Sequence, residues 1–143
     1  MKIALIGCTS KKKNYKCQAK VLYSESTLFC NAYKYALKTC DKVYILSAKY
    51  GLLKDSDEIE PYNITLNNQS SNFKKEWSNK VFTQFEKEFN LSEGLNIVCF
   101  AGNNYRKYLI PMLKQKYDKI EIELPLEHLG IGKQLKFLKD KNK

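Results

Sequence analysis

Four short apolar runs punctuate the chain. Residues 2–7 (KIALIG), 42–47 (KVYILS) and 95–101 (LNIVCFA) are nearly continuous in hydrophobic side chains. Such runs suit strands buried on both faces. Residues 119–124 (KIEIEL) alternate instead, putting Ile120, Ile122 and Leu124 on one face. That pattern predicts a half-exposed strand at a sheet edge.

Helical spacing fills the intervals. In 25–39, Leu28, Phe29, Ala32, Tyr33, Ala36 and Leu37 recur at three and four. In 72–89 the stripe is Phe73, Trp77, Val81, Phe85 and Phe89, with Ser70 or Ser71 available as cap. In 104–116 it is Tyr105, Tyr108, Leu109, Met112 and Leu113, with Pro111 predicting a kink or short break. A last helix from about 131 carries Ile131, Leu135 and Leu138 and is expected to fray into a lysine-rich tail over 136–143.

Strands separated by helices predict an α/β fold: a single domain with a mostly parallel sheet of about four strands and helices on both faces. Residues 48–70 are long for a connection, which predicts a functional or lid-like segment. A chain of 143 residues fits one domain and needs neither disulfide nor metal to hold a core.

Chemistry enters with the cysteines and the charge. Cys8, Cys17, Cys30, Cys40 and Cys99 are odd in number, show no CxxC spacing and accompany a single histidine, His128. This argues against a disulfide framework and against structural zinc, and no cofactor is expected. The opening apolar run is too short for a signal peptide or a membrane span, so the expected compartment is a reducing cytosol. Net charge is +10, with Arg106 the one arginine. The excess of lysine reflects either base composition or a polyanionic partner, namely nucleic acid or a phosphorylated small molecule. Lysine attracts phosphate without reading bases, so any nucleic-acid binding from charge alone would be weakly specific.

Ligands of open parallel sheets sit beyond the carboxyl ends of the strands. The segments there are Gly7-Cys8-Thr9-Ser10-Lys11-Lys12-Lys13, Ser47-Ala48-Lys49-Tyr50-Gly51-Leu52-Leu53, Ala101-Gly102-Asn103-Asn104-Tyr105-Arg106 and Pro125-Leu126-Glu127-His128-Leu129-Gly130-Ile131-Gly132-Lys133. Cys8 is either a thiol activated by neighbouring lysines or a small packed residue. Thr9, Ser10, Lys11 and Lys12 suit an anion cradle or a solvated loop. Ser47 reads as a ligand donor or a cap, and Lys49 as a clamp, a base or a surface charge. Glu60 and Tyr62, in the long segment, are candidates to orient a substrate, with Tyr23 and Tyr50 as stacking faces. Gly102 and Asn103 open a helix with free backbone N–H groups. A lone His128 reads as a bystander.

The stretches GCTSKKK, VLYSESTLF, LSAKYGLL, EPYNITL, AGNNYRKYLIP and LGIGKQLKFL together resemble the YaaA-like family of bacteria, archaea and phages, in the same order over nearly the whole chain. The stress-response namesake of that family, a larger protein, is associated with DNA binding. The chain is more distantly similar to the catalytic domain of archaeosine synthase, which modifies a nitrile-bearing deazaguanine base in tRNA. Of that family's Cys-x3-Lys-x-Tyr-x2-Ser motif, Cys8 and Lys12 match. Asn14 holds the tyrosine position with Tyr15 one place late, and Cys17 and Lys20 stand where Ser and His would follow.

The resulting expectation is an enzyme, or enzyme-derived domain, acting on a nucleobase, nucleotide or nucleic acid. Cys8, Lys12, Lys49 and Glu60 carry its chemistry. Thr9, Ser10, Lys11, Tyr23, Ser24, Ser47, Tyr50, Tyr62, Gly102, Asn103 and Tyr105 contact its ligand. The rivals are a non-catalytic DNA- or RNA-binding protein and a phage–host interaction module whose polar site is idle.

Overall fold

The computed structural model describes all 143 residues. Its strands are β1 (Lys2–Gly7), β2 (Cys17–Gln18), β3 (Lys42–Ser47), β4 (Gly51–Lys54), β5 (Glu58–Ile59), β6 (Leu95–Cys99) and β7 (Ile120–Glu123). Its helices are α1 (Ala19–Leu22), α2 (Thr27–Thr39), α3 (Ser71–Glu88), α4 (Asn103–Arg106), α5 (Leu109–Lys116) and α6 (Ile131–Lys141).

The main sheet has the order β4-β3-β1-β6-β7. The four strands expected from the apolar runs, β1, β3, β6 and β7, are all parallel. The central strands are apolar on both sides because both faces are covered: Ile3 and Leu5 join one core cluster, Ala4 and Ile6 the other. β7 is the edge strand its alternation predicts, with Ile120 buried and Glu121 and Glu123 exposed.

The sheet has five strands rather than four. The extra one, β4, pairs antiparallel with β3 and forms the opposite edge. It arises inside the segment expected to be an irregular lid. Gly51, at φ 78°, reverses the chain after β3, and its buried place leaves no room for a side chain against Gln84. Further along, β5 pairs with β2 in a two-stranded ribbon. Leu66 is fully buried in a short 3-10 turn capped by Thr65. Most of the segment is therefore built into the fold.

Helix positions follow the apolar spacing. Ser70, of the two candidate caps, accepts from the N–H of Phe73 and starts α3. The break predicted at Pro111 falls just before it, between α4 and α5. The proline ring crowds the carbonyl four residues back, so it is accommodated within the first turn of α5 and the interruption precedes it. The C-terminal helix does not fray at 136. It runs to Lys141, fully buries Leu138, and ties to α2 through the Asn142 Nδ2–Asn31 carbonyl bond at 2.9 Å.

Candidate functional site

Among the parallel strands the chain moves from β1 outward to β3, then returns across β1 to β6. The crevice where strand order reverses therefore opens between the carboxyl ends of β1 and β6, the usual ligand position in such sheets. Gly7 ends β1, where a Cβ would press on Ala101 Cα at 3.3 Å, so the two strand ends can approach. Cys8 follows. Its N–H continues the pairing with β3 by donating to the Leu46 carbonyl at 2.9 Å.

The half-buried Cys8 thiol donates to the Tyr105 hydroxyl at 3.3 Å. That hydroxyl also accepts from the N–H of Leu66 at 3.5 Å. Tyr105 is brought there by α4, with its ring packed edge-on against Trp77. Two clefts meet at this pair. The first, of about 310 Å³, has an apolar wall from α2 and α6, including Leu28, Phe29 and Ile131, opposite Thr9, Asn67, Asn103 and Asn104. The second, of about 300 Å³, is lined by Thr9, Ser10, Thr65, Asn67 and Asn68 among others. Cys8, Thr9, Asn67 and Tyr105 line both.

Behind the thiol lies a line of hydroxyls. The fully buried Ser47 donates from Oγ to the Tyr62 hydroxyl at 2.8 Å, which stands 2.6 Å from that of Tyr23. Ser47 Oγ also accepts from the N–H of Tyr50 at 3.1 Å and of Lys49 at 3.3 Å. Burial holds the phenols of Tyr23, Tyr62 and Tyr105 above the ordinary tyrosine range, and negative charge on Cys8 would raise all three further. They remain neutral hydrogen-bond donors at ordinary pH. Lys12 lies over the Tyr62 ring, 4.6 Å from its centroid. Partial burial lowers its pKa, while Cys8 pulls the other way.

A family model matches residues 3–140, from β1 into α6. The chain belongs to DUF6884, a family of unknown function. No curated protein and no solved structure matches it.

In this DUF6884 domain the expected site residues fall in different places. Cys8, Thr9, Ser10, Gly102, Asn103 and Tyr105 do line the clefts. Tyr23 and Ser47 are fully buried, so neither presents a face or a donor to a ligand; they support the floor instead. Ser24 closes a turn by donating to the Val21 carbonyl at 2.7 Å. Lys12, Lys49, Tyr50, Glu60 and Tyr62 line neither cleft. Lys49 is exposed, 5.3 Å from the Tyr50 ring centroid, and Glu60 meets Tyr50 only through its backbone carbonyl, at 3.2 Å. The Tyr62 hydroxyl is tied down, so the reading of Glu60 and Tyr62 as a free lid gives way to a fixed strap. Lys11 is exposed on the loop after β1.

His128 is a bystander to both clefts, exposed and 3.3 Å from Glu127. It stands at φ 66°, a left-handed position. Asn67 and Gln134 are site residues that strand-end reasoning missed, while Asn104 stood in a strand-end segment without being singled out. Asn67 comes from the 3-10 turn and Gln134 from α6, neither of which follows a strand directly. No group of His, Cys, Asp and Glu is placed to hold a metal ion. No helix is long and apolar enough to cross a membrane.

Proposed function

We propose that this domain is an enzyme acting on a nucleobase, nucleotide or nucleic acid, with Cys8 as its reactive thiol. The observation that carries the reading is the position of that thiol. It sits at the β1–β6 crevice, at the junction of two open clefts, hydrogen-bonded to Tyr105. Tyr105 steadies the sulfur in either protonation state, accepting from the thiol or donating to a thiolate. Lys12, held over the Tyr62 ring and within electrostatic reach of Cys8, is the candidate proton carrier. The partial likeness of Cys8 and Lys12 to the archaeosine synthase motif supports a base-containing substrate. The open clefts speak against an idle, filled-in site.

The test is protection of Cys8 from alkylation by a panel of nucleobases, nucleosides, nucleotides and short oligonucleotides, with turnover followed by mass spectrometry. The expected result is slowed alkylation by one class and loss of turnover in Cys8→Ala and Lys12→Ala. If both variants keep every activity and affinity of the wild type, the site is misassigned.

A second reading, non-catalytic binding of DNA or RNA, is favoured by the +10 charge and by the exposed Lys133, Lys136 and Lys139 on α6. It predicts a mobility shift with duplex or single-stranded DNA that fades steeply as salt rises.

A further inference from the structure

No charged side chain lines the two clefts of the candidate site. With 25 lysine and arginine side chains and 15 acidic ones in the sequence, the clefts beside Cys8 have no Lys, Arg, His, Asp or Glu among their lining residues. Lys11 and Lys12, the loop lysines expected to cradle a phosphate, line neither cleft, and Lys12 lies instead over the Tyr62 ring. Arg106 borders an adjoining hollow, but it is already spent, with NH1 3.8 Å from Glu127 and Nε donating to the Ala101 carbonyl at 3.3 Å.

The lining provides apolar surface and carboxamides instead. Asn104 is committed, accepting from Lys74 and donating to Asn67 Oδ1, both at 2.9 Å. That leaves Asn67 Nδ2 as a donor. Gln134 Nε2 donates to the Leu129 carbonyl at 2.8 Å, leaving Oε1 as an acceptor. Asn103, exposed at the rim, offers both. Neutral donors and acceptors facing an apolar wall match a flat ring with amide-like edges. They supply no positive charge to offset the desolvation of a phosphate dianion. A volume near 310 Å³ lies at the small end of ligand sites, the size of a single base or nucleoside rather than a polymer.

We infer that the cleft beside Cys8 selects an uncharged ligand, a free nucleobase or nucleoside, and discriminates against the phosphorylated form of the same molecule. The inference rests on the reading of Cys8 as the reactive thiol and narrows its substrate class.

Calorimetric titration of the intact chain tests it with the common nucleobases, nucleosides and their 5′-monophosphates at low and high salt, alongside Cys8 alkylation. Expected are a nucleobase or nucleoside that binds at least as tightly as its monophosphate and is indifferent to salt. Asn103→Ala, a rim substitution, should weaken that binding on the order of fivefold. A monophosphate that binds tenfold tighter, fades with salt and still protects Cys8 overturns this inference but leaves the proposed function standing. Nucleoside binding unchanged by Asn103→Ala also overturns it. If short oligonucleotides alone protect Cys8, this inference falls by itself, and if neither they nor any ligand of the panel protects it, the proposed function falls with it.

Discussion

Tyr62 binds the floor of the site together. Its hydroxyl meets both Ser47 and Tyr23, two fully buried side chains. Tyr62→Phe leaves each short of a partner, so a loss of about 1–3 kcal/mol is expected in urea denaturation. The phenols also set a pH limit. Tyr23, Tyr62 and Tyr105 keep their protons to higher pH in the fold than in the unfolded chain, where a tyrosine releases its proton near pH ~10. Tyr44 is likewise pushed up, to about 12, by burial first and Glu88 second. Their contribution is fully present below pH ~10; above it the unfolded state loses protons that the native state retains, so stability falls as pH rises. Denaturation midpoints measured from neutral pH through pH ~11 should show that decline, reduced in Tyr23→Phe. Among the thiols, Cys99 is buried and its pKa is pushed up to about 11, so it should resist iodoacetamide in the folded protein. Cys8 was legible as a strand-end thiol. Its bond to Tyr105, 97 positions away, was not, because no local pattern records a contact at that separation.

At the scale of elements, the turn into β4 and the end of α6 decide most. Gly51→Ala imposes a left-handed backbone on an L side chain and drives its Cβ against Gln84. Gln84 accepts from the N–H of Leu52 and donates to the Tyr50 carbonyl, so the clash loosens the whole β3–β4 turn. A loss of at least about 1 kcal/mol is expected by thermal or chemical denaturation. Leu138→Ala in α6 should cost about 2–5 kcal/mol in the same measurement, which a frayed tail would not. Apolar spacing predicted the helices well because a helix packed on a sheet must bury one stripe. It failed for Leu37 and for Ile131, each assigned to such a stripe yet exposed, Ile131 at the mouth of the first cleft. It missed β4 because Gly-Leu-Leu-Lys is too short to carry a period, and its strand character comes from hydrogen bonds to β3.

At the scale of the molecule, two core clusters lie on opposite faces of one sheet. α3 and α5 cover one face, and α2 with α6 covers the other. Adjacent residues of β1 and β3 feed both clusters, so neither face can melt alone. Phe85→Ala on one face and Phe29→Ala on the other should each cost about 3–5 kcal/mol, with one shared unfolding transition by fluorescence and far-ultraviolet dichroism. The sequence by itself determined the α/β class, the four parallel strands, the edge position of β7 and the clustering of small polar residues at strand ends. Each is written in periodicity or in local turn chemistry. Only the tertiary structure decided strand order, and with it the crevice between β1 and β6. It also moved Ser47 and Tyr23 from the presumed ligand surface to the floor, turned the long segment into a strap, and kept charge out of the clefts beside Cys8. These are outcomes of which distant side chains pack together, and burial cannot be read from residue type when the same serine, tyrosine or asparagine suits a core, a cap or a rim.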